Sequence, residues 1–376
     1  MYVFFLYRVA LSLNRLVISD IYNSLQTNMS KASLKLLVTG AVMALIVVLL
    51  YTSGEEQPEV NNQQTIQLQQ QPLVSSSQNF FPEQQKEQPI RAKVAPWSHD
   101  LTSWRQNTTL CSQPEVDTPS VLKTPGGPVK MSVYDPRKDI WVSRKIVNGG
   151  DFDGNKRQLV YSLLERDPDI NFIDVGCNIG VYSLTMAKLG RKVLCVDALY
   201  MNVEHVCSSM VQNNFENSIT IVMNALSNDR KYVELGVDDK NYGGTFVDED
   251  AGDVKKKKGR TVTGGHYTSI PSVMMDDLLQ LPVINMFNKS FIKMDIEGFE
   301  WKALQGASAF FSAIDVRGVF MEWIFHKGKD SGVKITEFMV RHNLYPHAQV
   351  TLTTYRPLDV SLWGNWHFMD ILWLKR

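Results

Sequence analysis

The run from Asn171 to Leu189 constrains the fold more than any other segment of the chain. It begins with Phe172 to Val175, a short apolar stretch that carries one acid, Asp174. The loop from Gly176 to Gly180 follows, and a helical pattern comes directly after it. Glycines at a strand-to-helix turn let the backbone approach a ligand closely and aim helix N–H groups at it. The run therefore predicts a ligand site at the carboxyl end of a strand in an α/β domain.

Short apolar runs and helical patterns alternate from about Met131 to the end of the chain. This alternation predicts a parallel sheet flanked by helices. Ligands bind such a sheet beyond the carboxyl ends of its strands, so we expect the functional residues where each apolar run ends. The predicted strands are Phe172 to Val175, Lys192 to Val196, Ile219 to Asn224, Phe291 to Met294 and Gly318 to Glu322, with amphipathic stretches at Ser183 to Leu189 and Val203 to Gln212.

An acid follows the second predicted strand. Asp197 lies about 20 residues beyond Gly176, where a carboxylate can accept hydrogen bonds from the hydroxyls of a ribose. A dinucleotide fingerprint would need glycine where the chain has Asn178 and Val181, so NAD and FAD are disfavoured. The pattern indicates either a nucleoside site without a pyrophosphate or a tight turn that merely requires glycine.

A second charged run follows the strand Phe291 to Met294. Lys293, Asp295 and Glu297 alternate, which places them on one side of the strand and its continuation. So many charges at a strand end are costly to bury without a purpose. They form either a catalytic cluster or an ion-pair network that attaches the strand to the next helix.

These motifs give the chain a resemblance to the FkbM-type methyltransferases, a branch of the class I S-adenosylmethionine-dependent enzymes. The resemblance covers roughly residues 140 to 376, and FIKMDIEGFE is its most specific part. Two positions depart from the usual pattern, since the family often has alanine in place of Cys177 and glutamate in place of Asp197. The matching stretches are FIDVGCNIGVYS (172 to 183), VDALYMNVEHV (196 to 206), NALSN (224 to 228), SVMMDDLL (272 to 279) and FIKMDIEGFEWKALQGA (291 to 307).

The resemblance implies a Rossmann-like α/β fold with a seven-stranded, mostly parallel sheet between helices. It implies S-adenosyl-L-methionine as the cofactor and O-methylation of a hydroxyl as the usual reaction. The cofactor contacts expected from it are Asp174, Gly176, Asn178, Gly180, Asp197, Asn224 and Ala225.

Methyl transfer to a hydroxyl needs alignment of the reactants and a base for the acceptor proton. Asp295 and Glu297 are the first candidates for that base. His326 is another, because the pKa of histidine lies near neutrality, although a lone histidine is more often structural. Lys293 either holds an acidic group of the substrate or pairs with Asp295. The long stretch from Asp229 to Ile270 is either a substrate-recognition insertion or a solvated loop.

Composition limits the partners and the compartment. Lys and Arg together number 39, as do Asp and Glu, so no basic excess points to a nucleic acid. Four cysteines are too few for a disulfide scaffold, and no CxxC pair suggests a metal. We expect Cys177 and Cys195 to be small packing residues.

The amino-terminal third predicts a membrane anchor. Residues 35–53 contain an apolar stretch typical of one transmembrane helix, with basic residues before it and Glu55 after it. This arrangement predicts a cytosolic tail over 1–34 and a type II protein whose domain at 131–376 is lumenal, in the Golgi or endoplasmic reticulum. Residues 54–130, rich in Gln and Pro, predict a disordered stem with a glycosylation sequon at Asn107. A glycan or small-molecule hydroxyl is the expected acceptor.

Two other functions remain open from the sequence. A type II anchor with a stem also suits a glycosyltransferase, and Asp151-Phe152-Asp153 matches the DxD motif that holds a metal-bound nucleotide sugar. The triplet follows Gly149-Gly150 rather than a buried strand, which argues against that function. A non-catalytic methyltransferase-like binding module is the third possibility.

Overall fold

The computed structural model describes residues 95–111, 118–238, 241–248 and 268–376. The predicted cytosolic tail, the transmembrane helix at 35–53 and the first part of the stem lie outside the described residues. Within those four ranges, no helix is long and apolar enough to cross a membrane.

The described residues form an α/β domain. Its helices are α1 (Ser143–Gly149), α2 (Gly154–Glu165), α3 (Val181–Lys188), α4 (Tyr200–Gln212), α5 (Glu300–Gln305), α6 (Ser308–Ala313) and α7 (Asp330–Arg341). Its strands are β1 (Trp97–His99), β2 (Trp104–Gln106), β3 (Thr118–Leu122), β4 (Val129–Val133), β5 (Asn171–Val175), β6 (Val193–Asp197), β7 (Ile219–Met223), β8 (Ala225–Leu226), β9 (Tyr232–Asp238), β10 (Asn241–Asp248), β11 (Thr268–Val273), β12 (Lys289–Met294), β13 (Asp315–Glu322), β14 (Leu344–Gln349), β15 (Tyr355–Pro357) and β16 (Asp370–Lys375).

The main sheet has the order β15-β14-β16-β13-β12-β5-β6-β7-β1-β2. Strands β13, β12, β5, β6, β7 and β1 run parallel, and β16, β14, β15 and β2 pair antiparallel to their neighbours. The predicted α/β architecture with a mostly parallel sheet is confirmed. The predicted number of seven strands is wrong, because β15 extends one edge and β1 and β2 extend the other.

The two extra strands at the β7 edge lie inside the predicted disordered stem. Trp97 of β1 pairs with Val222 of β7, and both Trp97 and Trp104 pack against the core. The indole N–H of Trp104 also donates to the carbonyl oxygen of Asp277 over 3.1 Å. Residues 97–99 and 104–106, which were predicted to lie in a disordered stem, therefore form paired strands, since two tryptophans supply apolar surface that the polar composition obscures.

The central strands bury both faces. Ile173 of β5 and Leu194 of β6 are fully buried, as expected for parallel strands that are covered by helices on each side. The five strands predicted from apolar runs correspond to β5, β6, β7, β12 and β13, with ends within three residues of those expected. A second sheet of order β10-β9-β11-β8 adjoins the carboxyl end of β7.

All four cysteines are paired in the described residues, whereas Cys177 and Cys195 were expected to be small packing residues. Cys111 pairs with Cys207 and Cys177 with Cys195, and the two Cα–Cα distances of 5.5 and 5.7 Å suit disulfides. The first bond attaches the amino-terminal segment to α4, and the second attaches the loop after β5 to β6. Sequence spacing gave no sign of either pair, because only the fold brings the partners together.

Candidate active site

The loop after β5 is built around Gly176. Its φ of +74° lies in the left-handed region, and a Cβ at this position would overlap the carbonyl oxygen of Asp295. The N–H groups of Gly176 and Cys177 both donate to the carbonyl oxygen of Val196, at 2.9 and 3.1 Å. Glycine is therefore required here for its conformation and for the close approach of β12, and the loop is fixed to the end of β6.

Asp197 ends β6 beside this loop. Its carboxylate accepts hydrogen bonds from the N–H of Asn178 (2.8 Å), the N–H of Leu199 (2.9 Å) and the side-chain amide of Asn202 (3.1 Å). Burial raises the pKa of Asp197 to about 6, and these hydrogen bonds partly offset the rise. The group is largely ionised at neutral pH and can accept further hydrogen bonds from a ligand.

A cavity lies over the carboxyl ends of β5, β6, β7 and β12. Residues from all four strand ends line it, which is where open α/β sheets bind their ligands. Eight of the residues predicted from the sequence line it: Gly176, Asn178, Asp197, Asn224, Ala225, Lys293, Asp295 and Glu297. Asp174, Gly180 and His326 are not among the lining residues.

Lys293 is the centre of an ion-pair cluster at one wall. It is almost fully buried, with its Nζ 3.3 Å from Asp295 Oδ2, 3.8 Å from Asp174 Oδ1 and 2.9 Å from the carbonyl oxygen of Gly176. Burial alone would lower the pKa of Lys293, but Asp295, Asp174 and Asp153 outweigh it and raise that pKa. The predicted pairing of Lys293 with Asp295 is therefore present.

Asp174 supports this cluster from beneath the cavity. It is completely buried and accepts a hydrogen bond of 2.7 Å from the hydroxyl of Ser183. Burial raises the pKa of Asp174, against the opposing effects of Lys293 and Ser183. Asp174 thus places Lys293. Gly180 precedes α3, and a Cβ at this position would lie 3.1 Å from Val206 Cγ2 of α4.

The turn after β12 directs Glu297 into the cavity wall. Glu297 has a left-handed φ of +58°, and Gly298 follows with a φ of +97°. The buried Glu300 accepts from the N–H of Ile296 over 2.9 Å and thereby holds the turn. Glu297 of the charged run therefore lines the cavity, whereas Glu300 belongs to a structural network.

His326 belongs to the structural network rather than to the cavity. It is 1% exposed, its Nε2 lies 2.7 Å from Glu300 Oε2, and its Nδ1 lies 2.9 Å from the hydroxyl of Ser331. Both ring nitrogens are therefore engaged away from the cavity. This arrangement contradicts its candidacy as the base and assigns it to anchoring Glu300.

Asn224 has a second task that the sequence did not reveal. Its side-chain amide accepts from the N–H of His99 (2.8 Å) and donates to the carbonyl oxygens of His99 and Pro271 (both 3.0 Å). It therefore fixes β1 and β11 to the end of β7. Its neighbour Ala225 lines the cavity at the same strand end.

Several wall residues were missed by the sequence analysis. Leu235, Gly244, Phe246 and Val247 come from β9 and β10, within the stretch predicted as an insertion or a solvated loop. Trp141, Val142, Phe152 and Asp153 come from the segment before α2, and Tyr182 from α3. The length of the insertion was the one available signal for the first group.

The Asp151-Phe152-Asp153 triplet is divided in the fold. Asp151 pairs with the buried guanidinium of Arg157, whereas Asp153 lines the cavity. Asp153 Oδ2 lies 3.4 Å from the hydroxyl of Tyr182 and 3.7 Å from Lys156 Nζ. In the described part of the chain, no group of three or more acidic, histidine or cysteine side chains is placed to hold a metal ion.

Comparison with known protein families finds a match over part of the chain. Residues 174–346 match the model of the Methyltransferase FkbM domain. The match contains the loop at Gly176, Asp197 and the Lys293 cluster, and it supports a methyltransferase fold whose cofactor is S-adenosylmethionine. No curated protein matches the chain.

Solved structures that are similar to the chain include three methyltransferases. A SAM-dependent methyltransferase from Agrobacterium tumefaciens has 10% identity over 75% of this chain and 77% of that chain, with a TM-score of 0.36. A SAM-dependent O-methyltransferase from Thermotoga maritima has 11% identity over 75% and 93%, with a TM-score of 0.31. The magnesium protoporphyrin IX methyltransferase from Synechocystis, solved with SAH, has 12% identity over 62% and 92%, with a TM-score of 0.30.

Proposed function

We propose that this protein transfers the methyl group of S-adenosylmethionine to a hydroxyl of a glycan or another acceptor of the secretory pathway. The observation that carries the proposal is one cavity with a nucleoside-type wall at Asp197 and a paired, partly exposed carboxylate at Asp295. The wall at Asp197 suits the cofactor, and the carboxylate of Asp295 suits the removal of a proton from an acceptor.

The residues on the cofactor side fit S-adenosylmethionine. Asp197 is largely ionised at neutral pH and lies where it can accept hydrogen bonds from ribose hydroxyls. Leu235, Phe246 and Val247 offer apolar surface to the adenine ring of the cofactor. The Gly176 loop brings main-chain groups to the cavity wall without a Cβ. When bound, the cofactor supplies an activated methyl group.

Asp295 is the residue best placed to act as the base. Its side chain is 36% exposed and lines the cavity, and Lys293 holds one of its carboxylate oxygens. In this role Asp295 accepts the hydroxyl proton as the methyl group is transferred, and Lys293 holds its carboxylate in place. Burial, with the acids Asp153 and Asp370 near it, raises the pKa of Tyr182 well above its usual value, so its phenol stays neutral.

The location in a secretory compartment, with a type II anchor over 35–53, is part of the proposal. Two disulfides among the described residues support it, because disulfides persist in oxidising compartments. The sequon asparagine Asn107 lies near the surface in a turn closed by Thr109 and Leu110. We expect glycosidase treatment of protein produced in the secretory pathway to change its gel mobility. An Asn107→Gln variant should lose the part of this change that comes from Asn107.

The glycosyltransferase alternative loses support from the divided DxD triplet, since the Arg157 pair occupies Asp151. A non-catalytic module differs from our proposal in turnover but not in cofactor binding. One assay distinguishes the glycosyltransferase and the non-catalytic module from the proposed methyltransferase.

That assay combines isotope-labelled S-adenosylmethionine with a panel of glycan acceptors. We expect label transfer by the wild type, and an Asp295→Asn variant that binds S-adenosylhomocysteine normally but loses at least about 100-fold in kcat. A Glu337→Gln variant, which changes an exposed carboxylate on α7, serves as the control. Full activity in Asp295→Asn would refute the role of Asp295, and cofactor binding without transfer to any acceptor would favour the binding module.

A further inference from the structure

Glu322, at the carboxyl end of β13, is a neighbour of Asp295 across the sheet. Met294 and Met321 are register partners in the parallel pair β12 and β13, so the residues that follow them lie side by side. The two carboxyl groups therefore lie side by side at the ends of β12 and β13. The sequence analysis gave Glu322 no role, and it is absent from the cavity lining.

A hydrogen bond between two carboxyl groups requires a proton on one of them, because an ionised carboxylate can only accept. Asp295 has a cation beside it, with Lys293 Nζ at 3.3 Å, and its side chain is 36% exposed. Glu322 Oε2 is buried and has no hydrogen-bond partner among the described residues. An ionised Glu322 would leave that oxygen uncompensated, so the proton belongs on Glu322.

The groups that face Glu322 favour the same assignment. Asp295 and Glu297 approach from β12 and its turn, Glu300 from α5, and Asp370 is its register partner on β16. All four are acids, and Lys156 is committed to Asp370 at 2.7 Å. Burial first, and then Asp295, Glu297 and Glu300, raise the pKa of Glu322 to about 10.

We propose that Glu322 is a positioning residue for methyl transfer, whose neutral carboxyl group donates a hydrogen bond to Asp295 and holds that carboxylate toward the acceptor. Asp295 is then fixed from two sides, by Lys293 and by Glu322. Such fixation matters because small displacements of a base are costly to the rate. The inference rests on the proposed function through Asp295, but the protonation of Glu322 can be tested without an acceptor.

The acceptor-free test is infrared difference spectroscopy of the protein at pH 7, wild type against Glu322→Gln. We expect the carbonyl stretch of a protonated carboxyl group, sensitive to deuteration, to disappear in the variant. Glu337→Gln, the matched change at an exposed glutamate, should remove carboxylate bands instead. Loss of carboxylate bands in Glu322→Gln would overturn the inference, whatever the reaction proves to be.

The kinetic test compares Glu322→Gln with Glu322→Ala. Glutamine can donate to Asp295 as a protonated carboxyl does, so kcat should stay within about threefold of wild type, whereas alanine should lower it about tenfold or more. Affinity for S-adenosylhomocysteine should be unchanged in both variants and reports that each is folded. The wild-type kcat should fall as the pH approaches 10, and that decline should be absent in Glu322→Gln. A glutamine variant as impaired as the alanine variant, or an alanine variant as active as wild type, would overturn the role.

Failure of this inference and failure of the proposed function give different results. If S-adenosylhomocysteine does not bind, the proposed function fails. If it binds and label is transferred, but Glu322 is ionised or replaceable by alanine, only the positioning role fails.

Discussion

The Nζ of Lys293 donates a hydrogen bond of 2.9 Å to the carbonyl oxygen of Gly176. The contact joins the end of β12, which carries the proposed base, to the loop that is proposed to hold the cofactor. The same ammonium group lies within ion-pair distance of Asp174 and Asp295. One buried cation therefore holds both the Gly176 loop and Asp295.

Replacement of this cation should be strongly destabilising. Lys293→Met leaves the fully buried Asp174 without its charge partner, which typically costs about 3–5 kcal/mol in the free energy of unfolding. Lys289→Met on the same strand removes only a surface pair with Asp167, so the loss should be small. Denaturant unfolding of the two variants gives the comparison, and equal losses would contradict the central place of Lys293. Addition of Asp174→Asn to Lys293→Met should recover part of the lost stability.

Variants of Gly176 and Gly190 distinguish two reasons for glycine, which are a positive φ and the close approach of a neighbouring segment. Both have positive φ, +74° and +86°, but a Cβ at Gly190 would meet nothing within 4 Å, whereas one at Gly176 would overlap Asp295. Gly190→Ala should therefore cost only the conformational strain, about 1–2 kcal/mol in unfolding free energy. Gly176→Ala should cost more and abolish binding of S-adenosylhomocysteine in calorimetry. Normal binding by Gly176→Ala would show that the loop does not need this close approach.

The affinity for S-adenosylhomocysteine should depend on pH through Asp197. Because burial raises the pKa of Asp197 to about 6, lowering the pH through 6 protonates the carboxylate and removes an acceptor for ribose hydroxyls. The dissociation constant should rise by up to about tenfold per pH unit below 6 and be flat above 7. Asp197→Asn should bind weakly at every pH, whereas Asp370→Asn, whose parent carboxyl also has a pKa of about 6, should retain the wild-type curve. A wild-type affinity that does not change between pH 5 and 7 (about one unit either side of that pKa) would contradict this role.

The two disulfides should have different effects. Cys111 and Cys207 are 96 residues apart and Cys177 and Cys195 are 18 apart, so loop-closure entropy predicts losses of about 4.7 and 3 kcal/mol on replacement by alanine. Only Cys177 lines the cavity, so its pair should also matter for cofactor affinity. Thermal unfolding and calorimetry of the two double variants test this, and an unchanged affinity in Cys177→Ala/Cys195→Ala would count against it.

The sequence identified the parts of the site that local patterns determine. The glycines of the Gly176 loop, Asp197 and the alternating Lys293, Asp295 and Glu297 each follow an apolar strand, and strand period and turn chemistry place them at one sheet edge. The resemblance supplied the fold and the cofactor together. The membrane helix, the lumenal location and the glycan acceptor stay predictions.

Other parts depend on contacts between distant segments. The disulfides, the tie from Asn224 to His99 and the bond from His326 to Glu300 join residues that no local pattern relates. Strands β1 and β2 are too short to give a period, so a polar, Gln-rich context concealed them. Glu322 was missed because its proposed role depends on Asp295, which follows β12, and not on a pattern in its own strand.

The most direct test of the account is titration calorimetry of the 376-residue protein with S-adenosylhomocysteine and, separately, with a nucleoside diphosphate and manganese. We predict binding of the first ligand at one site per chain, loss of that binding in Asp197→Ala, normal binding in Asp295→Asn, and no heat with the second ligand pair. No binding of S-adenosylhomocysteine by the folded wild-type protein, or binding of the nucleoside diphosphate with manganese instead, would contradict it.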